Sequence, residues 1–405
     1  MKNVLSLFSG CGGMDLGFEG DFTVFKESVN TEIHPTWVKK ELKDKVLLEP
    51  TGFQTVFSND ILQVAKNAWK GFFGKRNRNV YATESIVDLV KKHRNGEKVF
   101  PDNIDVVTGG FPCQDFSLAG KRQGFASYKN HCGQKDENIS VEESRGSLYL
   151  WMKEVISITK PKIFFAENVK GLVSLGDAKK IIEHDFSTID DNGYFVFPAK
   201  VLNAGEYGVP QKRERIIFIG LNIKCLNPGI LEKIKNNEIN LYPPITHNIH
   251  KQKNDLFEAN LAPMVTTEIA FKGLDEPDVS SDVSQQIYSR AKYMPKGQGN
   301  TEVDLLGLGP TIRAEHHGNI EFRRLSEENG GKHSKELKAG LPQRRLSVRE
   351  CARIQTFPDE YDFIQDGVSG SGAYKIIGNA VPPLLAYNVA KHIAELWDVL
   401  FKKDS

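Results

Sequence analysis

The chain has 405 residues, 26% charged and 40% hydrophobic, with 53 Lys plus Arg against 52 Asp plus Glu and a net charge of +1. That balance excludes a globally basic chain of the histone type and a polyacidic tail protein, so a nucleic-acid surface has to be a local patch. The length sets a prior of roughly two or three domains. Five scattered cysteines (Cys11, Cys113, Cys132, Cys225, Cys351) form no Cys-x-x-Cys pair, which argues against a disulfide framework or structural zinc and for a reducing, cytoplasmic setting. No apolar run approaches the ~18 residues of a membrane span.

In chain order, residues 4–8 read as a first strand ending in a glycine turn. Residues 22–26 read as a second strand and 35–45 as a helix. A third strand is expected at 54–57, a helix at 86–93 and a fourth strand at 104–107, closing on Gly109-Gly110. A helix at 147–159 stops at Pro161, a fifth strand follows at 163–166 and a helix at 178–189. Strands at 194–201 and 215–219 complete this part. Such alternation predicts an α/β fold whose mostly parallel sheet is covered by helices on both faces. From 222 to 341 the runs become short and polar, with Pro228, Pro243-Pro244, Pro263, Pro277, Pro295 and Pro310. That stretch is too long for one loop and reads as a smaller irregular domain. Helical texture returns at 346–355 and 383–400. The expected organisation is therefore 1–221, 222–341, and a return of 342–405 to the first domain.

Three features sit at the ends of expected strands. Phe8-Ser9-Gly10-Cys11-Gly12-Gly13 is a small-residue turn after the first strand, although Asp15 replaces the third glycine of a G-x-G-x-x-G pattern. Glu32 follows the second strand, where a carboxylate can accept from ribose hydroxyls, and Asp60 follows the third, where one can accept from an adenine amino group. Together they predict a nucleoside cofactor. Gly109-Gly110-Phe111-Pro112-Cys113 places a cysteine on a loop above the sheet, a position suited to a nucleophile once the thiol is ionised.

The last stretch resembles the cysteine loop of DNA (cytosine-5)-methyltransferases, and five further motifs carry the same resemblance. Phe8 to Gly13 resembles the family's cofactor loop. Glu167-Asn168-Val169 resembles its acid motif, and Gln211-Lys212-Arg213-Glu214-Arg215 its Gln-x-Arg-x-Arg motif. Arg345-Leu346-Ser347-Val348-Arg349-Glu350 resembles its late helix, and Gly378-Asn379-Ala380-Val381-Pro382-Pro383 its closing motif. The resemblance spans nearly the whole chain.

It implies a Rossmann-like methyltransferase fold and S-adenosyl-L-methionine as cofactor. Cys113 would be the nucleophile, Glu167 the acid at cytosine N3, Arg215 the ligand of the O2 edge and Arg213 a second catalytic arginine. Phe8, Ser9, Gly10, Gly12, Gly13, Glu32, Ile33, Asp60, Ile61, Pro112, Leu148, Asn379 and Val381 would form the cofactor site. Residues 222–341 take the place of a target-recognition domain, with Arg313, Arg323, Arg324, Arg344 and Arg345 as phosphate or base contacts and Ser117 on the loop that closes over a flipped base. Ser6 stands where the family often has an acid, and Ile33 where it often has an aromatic ring. Double-stranded DNA is the implied partner, no metal is called for, and a cognate restriction endonuclease would be a functional partner only. The chain is expected to act as a monomer in a bacterial cytoplasm. Residues 65–99 and 127–144 read as insertions, the former as a peripheral helix. A cysteine hydrolase, a tRNA-acting relative and a silent DNA-binding module are the competing readings, and cofactor binding and the substitution Cys113→Ala separate them.

Overall fold

The computed structural model describes all residues except 77–79, 113–146, 251–259, 296–298, 315–319, 366 and 404–405. Its strands in chain order are β1 (Lys2–Leu7), β2 (Thr23–Phe25), β3 (Val38–Glu41), β4 (Lys45–Leu48), β5 (Phe53–Asn59), β6 (Tyr81–Ala82), β7 (Val106–Gly110), β8 (Ile163–Val169), β9 (Tyr194–Asn203), β10 (Glu214–Asn222), β11 (His247–Asn248), β12 (Ala262–Pro263), β13 (Phe322–Arg324) and β14 (Arg344–Arg345). The α-helices are α1 (Gly13–Glu19), α2 (Gln63–Phe73), α3 (Ile86–Arg94), α4 (Leu148–Thr159), α5 (Ala178–Ser187), α6 (Ile230–Lys235), α7 (Thr267–Phe271), α8 (Val283–Gln286), α9 (Ser334–Lys338), α10 (Val348–Ile354), α11 (Gly370–Asn379) and α12 (Pro383–Leu400).

Seven strands form the central sheet, in the order β6-β5-β1-β7-β8-β10-β9. The first five are parallel, and β10 runs antiparallel to both β8 and β9. Each strand sends successive side chains to opposite faces. Val4, Val106, Phe165 and Ile217 therefore enter one buried cluster, and Leu5, Val107, Phe164 and Ile216 the other. Residues of α1 and α10–α12 cover the first face, and those of α3, α4 and α5 the second. Burial on both sides explains why these strands are apolar runs rather than alternating ones.

The order reverses at β1: the chain next enters the sheet through β5 on one side, and later continues through β7 and β8 on the other. Open α/β sheets bind ligands at the carboxyl ends of the strands at such a switch point. Here those ends are Leu7, Asn59 and Gly109, aligned by register. The antiparallel β10 brings its amino end, Glu214 and Arg215, to the same edge.

The late helices carry clear end signals. Pro383 occupies the first turn of α12, where its missing N–H costs nothing. Ser347 and Glu350 form a reciprocal capping box on α10.

Three expectations fail. The expected second strand leaves the central sheet and joins a three-stranded sheet in the order β2-β4-β3. The helix expected at 35–45 is the pair β3 and β4, because burial alternates with period two along Lys45–Leu48, with Val46 and Leu48 buried. The 65–99 segment is not peripheral. It supplies the edge strand β6 and, on α2, the fully buried Trp69. Residues of the 222–341 segment also enter the main core: Tyr242, Phe271, Ile312 and Ile320 share the cluster of Leu346 and Ile376. The Tyr242 hydroxyl donates to the Ile217 carbonyl of β10 at 2.7 Å.

Candidate active site

The glycine turn leaves β1 through left-handed backbone, with φ of +52° at Phe8, +55° at Gly10 and +80° at Gly12. Its amides are already committed within the protein. Ser9 N–H donates to the Asn59 carbonyl at 2.8 Å and Gly12 N–H to the Ser9 carbonyl at 2.8 Å. Gly10 N–H donates to Asp60 Oδ2 at 3.1 Å, and the other oxygen of Asp60 accepts from Leu62 N–H. The N–H groups of Ser9, Gly10 and Gly12 are therefore satisfied within the protein.

What remains open is the Cα face of Gly10, where a Cβ would meet nothing within 4 Å. At Gly12 a Cβ would lie 2.6 Å from the Trp69 ring, and at Gly13 2.3 Å from the Val381 carbonyl. Glycine at these two positions lets the turn pack against α2 and the closing motif. Ile61 is 42% exposed beside Asp60, an apolar surface at the same edge. Phe8, Ile33 and Pro112 are half-buried, Leu148 and Val381 are buried, and Asn379 and Glu32 are exposed. Glu32 does not follow a strand of the central sheet. It lies on the turn after Asn30, whose side chain accepts from Glu32 N–H and donates to the carbonyls of Thr246 and Asn260.

The second half of the site stands on β7, β8 and β10. Gly110 pairs with Glu167 in parallel register, and a Cβ on Gly110 would be 3.0 Å from Glu167 Oε2. Glycine there makes room for the carboxylate. Ile217 pairs with Glu167, so Arg215, two residues away, points to the same face. Arg215 Nε donates to Glu167 Oε1 at 2.7 Å, and both side chains are about one-tenth exposed. Burial pushes the Glu167 carboxyl above its ordinary value, against the pull of Arg215 and Arg213. The neighbouring Asn168 donates to the Phe111 carbonyl at 3.2 Å, which ties β8 to the residues leading into the cysteine loop. Cys113 and Ser117 lie outside the described residues.

Arg213 corrects its expected role. It is 1% exposed, and its guanidinium donates to the carbonyls of Ile312, Gly378 and Ala380 at 3.1, 2.7 and 2.8 Å. It joins the end of β10 to the closing motif and to residue 312, so it positions rather than touches a reacting base. Gln211 does similar work, donating to the Pro310 carbonyl at 3.0 Å.

Most of the expected DNA contacts are also corrected. Arg324 is fully buried and pairs with Glu276 and Glu336 at 2.6 and 3.0 Å. Arg344 is bidentate to Glu350, at 2.8 Å to each oxygen, and reaches Glu276 at 3.0 Å. Arg345 spends its donors on the carbonyls of Ala291, Lys292, Gly299 and Ile320 and on Asn300 Oδ1. Arg323 is mostly buried and pairs with Glu336 at 2.9 Å. These cations already face carboxylates or carbonyls inside the protein, so phosphates are not their partners. Arg313 is exposed, as a groove contact requires.

Sequence reasoning missed Asp15 and Trp69. The carboxylate of Asp15 accepts from Ser6 Oγ at 2.5 Å, Ser58 Oγ at 3.0 Å and Trp69 Nε1 at 2.7 Å. Ser6 lacks the acid expected at its position, and Asp15 lacks the expected glycine. The two departures answer each other, and that compensation was the available signal.

Residues 45–395 match a family model described as C-5 cytosine-specific DNA methylase. The chain is similar to the type II methyltransferase M.BspRI of Lysinibacillus sphaericus, at 32% identity over 413 residues, spanning 97% of this chain and 81% of that protein. It is also similar to the type II methyltransferase M.HhaI of Haemophilus parahaemolyticus, at 29% identity over 358 residues, 86% of this chain and 89% of that one. Among solved structures, the Dnmt2 methyltransferase of S. pombe shares the fold, with a TM-score of 0.55 at 14% identity over 98% of this chain and 99% of that chain.

Proposed function

The chain belongs to the C-5 cytosine-specific DNA methylases, and we propose that it methylates C5 of one cytosine within a short duplex DNA sequence, using Cys113 as nucleophile and Glu167 and Arg215 on the rest of the base. The observation that carries this reading is the buried Glu167–Arg215 pair at 2.7 Å, set beside Gly110 where β7 runs toward Cys113.

The chemistry needs each group. C5 of cytosine is a weak nucleophile. Addition of the Cys113 thiolate to C6 makes C5 enamine-like. Negative charge would build on the ring unless N3 takes a proton, and a carboxyl raised by burial is suited to carry it. Arg215, held two residues along from the register partner of Glu167, would hold the O2 edge. After C5 carries its new methyl, its proton leaves to water and the thiolate is expelled. The target base must first rotate out of the helix, at a cost of a few kcal/mol in stacking and pairing.

S-adenosyl-L-methionine fits the β1 edge. The open face of Gly10, the exposed Ile61 and the half-buried Phe8 make a surface for an adenosyl group, with Asp60 at its rim and Glu32 as ribose ligand. When bound, the cofactor supplies a sulfonium methyl that C5 attacks. Arg213 holds the closing motif, and so Asn379 and Val381, against this edge.

Residues 222–341 would read the DNA, with Arg313 at the groove. The type II restriction-modification relatives favour a protective role against an endonuclease that reads the same sequence. The reading is tested by base-resolution cytosine-methylation mapping of DNA from a methylation-free bacterial host expressing the chain. Methylation at one recurring short motif is expected. Unmethylated DNA from a folded, cofactor-binding protein would overturn the DNA substrate.

A further inference from the structure

The glycine turn is braced from beneath by a chain of buried polar groups. The Ser9 hydroxyl lies 2.8 Å from Ser6 Oγ and 3.0 Å from the Ser6 carbonyl, and it accepts from Asn59 N–H at 3.1 Å. The Ser6 hydroxyl in turn donates to Asp15 Oδ1 at 2.5 Å. Ser58, near the end of β5, and Trp69 of α2 donate to Oδ2. Ser6, Asp15, Ser58 and Trp69 are all 0–1% exposed. An ionised carboxylate accepts and never donates, so the charge on Asp15 makes the Ser6 and Ser58 hydroxyls donors to it and leaves Ser6 Oγ to accept from Ser9. The same Trp69 ring fills the space beside Gly12. One carboxylate thus links β1, β5, α1 and α2 at the point where the sheet order reverses.

We propose that Asp15 is the positioning residue of the cofactor turn: through Ser6 and Ser9 it fixes the backbone of Phe8 to Gly12 that receives the adenosyl group, and Trp69 holds the carboxylate in place. This inference rests on the cofactor assignment above. Asp15 touches no reacting atom. Its loss should act on the affinity for S-adenosyl-L-methionine more than on turnover once the cofactor is saturating.

Protonation gives an independent handle. Burial raises the Asp15 carboxyl to about 6 against its three hydrogen bonds. The acids facing it are Glu19 on its own helix, Cys11 on the turn before it, and the phenols Tyr81 and Tyr361. A protonated Asp15 carries a donor of its own, which one of the incoming donors must give way to. Cofactor affinity should therefore fall as pH drops from 7 to 5.5.

The test is equilibrium binding of S-adenosyl-L-methionine to the full chain without DNA, across that pH range, alongside thermal unfolding. For Asp15→Asn we expect roughly tenfold weaker binding at pH 7, a flat pH profile, and kcat at saturating cofactor within about twofold of wild type. Trp69→Phe, which keeps an aromatic ring, and Ser9→Ala, which cuts the link to Ser6, should each weaken binding by roughly threefold and cover the case in which Asp15→Asn does not fold. The exchange Ser6→Asp with Asp15→Ser keeps one carboxylate in the contact and should recover part of the affinity. Wild-type protein that ignores the cofactor would remove the cofactor assignment itself. Wild-type protein that binds it, with Asp15→Asn and Ser9→Ala binding equally well at every pH, would overturn the role of Asp15 alone.

Discussion

Two regions of this molecule are rich in arginine, and they use it in opposite ways. At the sheet edge, Arg215 sits on a regular strand, and its register against Glu167 decides where its side chain goes. In the 276–350 stretch, Arg323, Arg324 and Arg344 turn inward onto Glu276, Glu336 and Glu350. Arg345 turns inward onto carbonyls, with its guanidinium stacked 4.0 Å from the Phe322 ring. A strand has a period of two, so sequence predicts direction. An irregular segment has no period, so an arginine there reads as surface until its partner is seen. Composition makes the second region look like a basic patch, yet nearby carboxylates neutralise it from within.

The largest effects should fall at the sheet edge. Cys113→Ala should abolish methylation, and Glu167→Gln should lower kcat by roughly 10²–10⁴-fold, because glutamine cannot deliver a proton. The wild-type rate should fall as pH rises through the raised Glu167 value, since only the protonated form acts. A Glu167→Gln enzyme with wild-type turnover in a steady-state assay would break this half of the comparison.

The two arginines of the Gln-x-Arg-x-Arg motif sharpen it further. Arg213→Ala strands three carbonyls and should cost about 3 kcal/mol in denaturant unfolding. Arg215→Ala leaves behind a carboxyl that burial already pushes toward its neutral form, so it should cost less stability than Arg213→Ala and lower turnover instead. Equal stability losses for both would put them in one class and contradict the distinction drawn here.

In the inward-facing cluster, Glu276→Gln should cost roughly 2–3 kcal/mol, since it leaves Arg324 and Arg344 short of a carboxylate. Burial raises Glu276, but hydrogen bonds and charge from Arg324 and Arg344 hold it down at about 2. Asp359, buried but paired with Arg353 and Lys45, is also held at about 2. Both values are depressed, so their contribution to stability is complete above the ordinary carboxylate range and is lost as pH falls from about 4.5 to about 2. Acid unfolding followed by circular dichroism should show a transition in that window, shifted upward in Asp359→Asn.

The smallest effect is at the DNA surface. Arg313→Ala should weaken DNA binding a few-fold and lower the salt slope by about one. Arg345→Ala should leave that slope unchanged while lowering the unfolding temperature. A salt slope altered by Arg345→Ala and not by Arg313→Ala would reverse the assignment.

The catalytic sheet was largely legible in the sequence because its strands are buried on both faces and announce themselves as apolar runs. The meeting of Glu167 and Arg215 was legible because a short motif closes β8 and another opens β10. The β3–β4 pair was not, since Lys39, Lys40, Glu41 and Lys43 gave 35–45 the charge pattern of a surface helix. Trp69 was not, because nothing in a local window reveals a partner as distant as Asp15. The roles of Arg213 and Arg324 depend on carbonyls and carboxylates brought in from far along the chain, such as Gly378 and Glu276, and no spacing rule reports those.

The most direct test of the account is covalent trapping. Random-sequence duplex DNA carrying 5-fluorocytosine in place of cytosine contains every short target, and fluorine at C5 cannot leave as a proton does, so elimination of the thiolate stops. With S-adenosyl-L-methionine, the wild-type chain should form a denaturation-resistant adduct, and peptide mass spectrometry should place the methylated base on Cys113. Glu167→Gln should form it far more slowly and Cys113→Ser not at all. Absence of an adduct from folded, cofactor-bound protein, or attachment at any other residue, would contradict the mechanism.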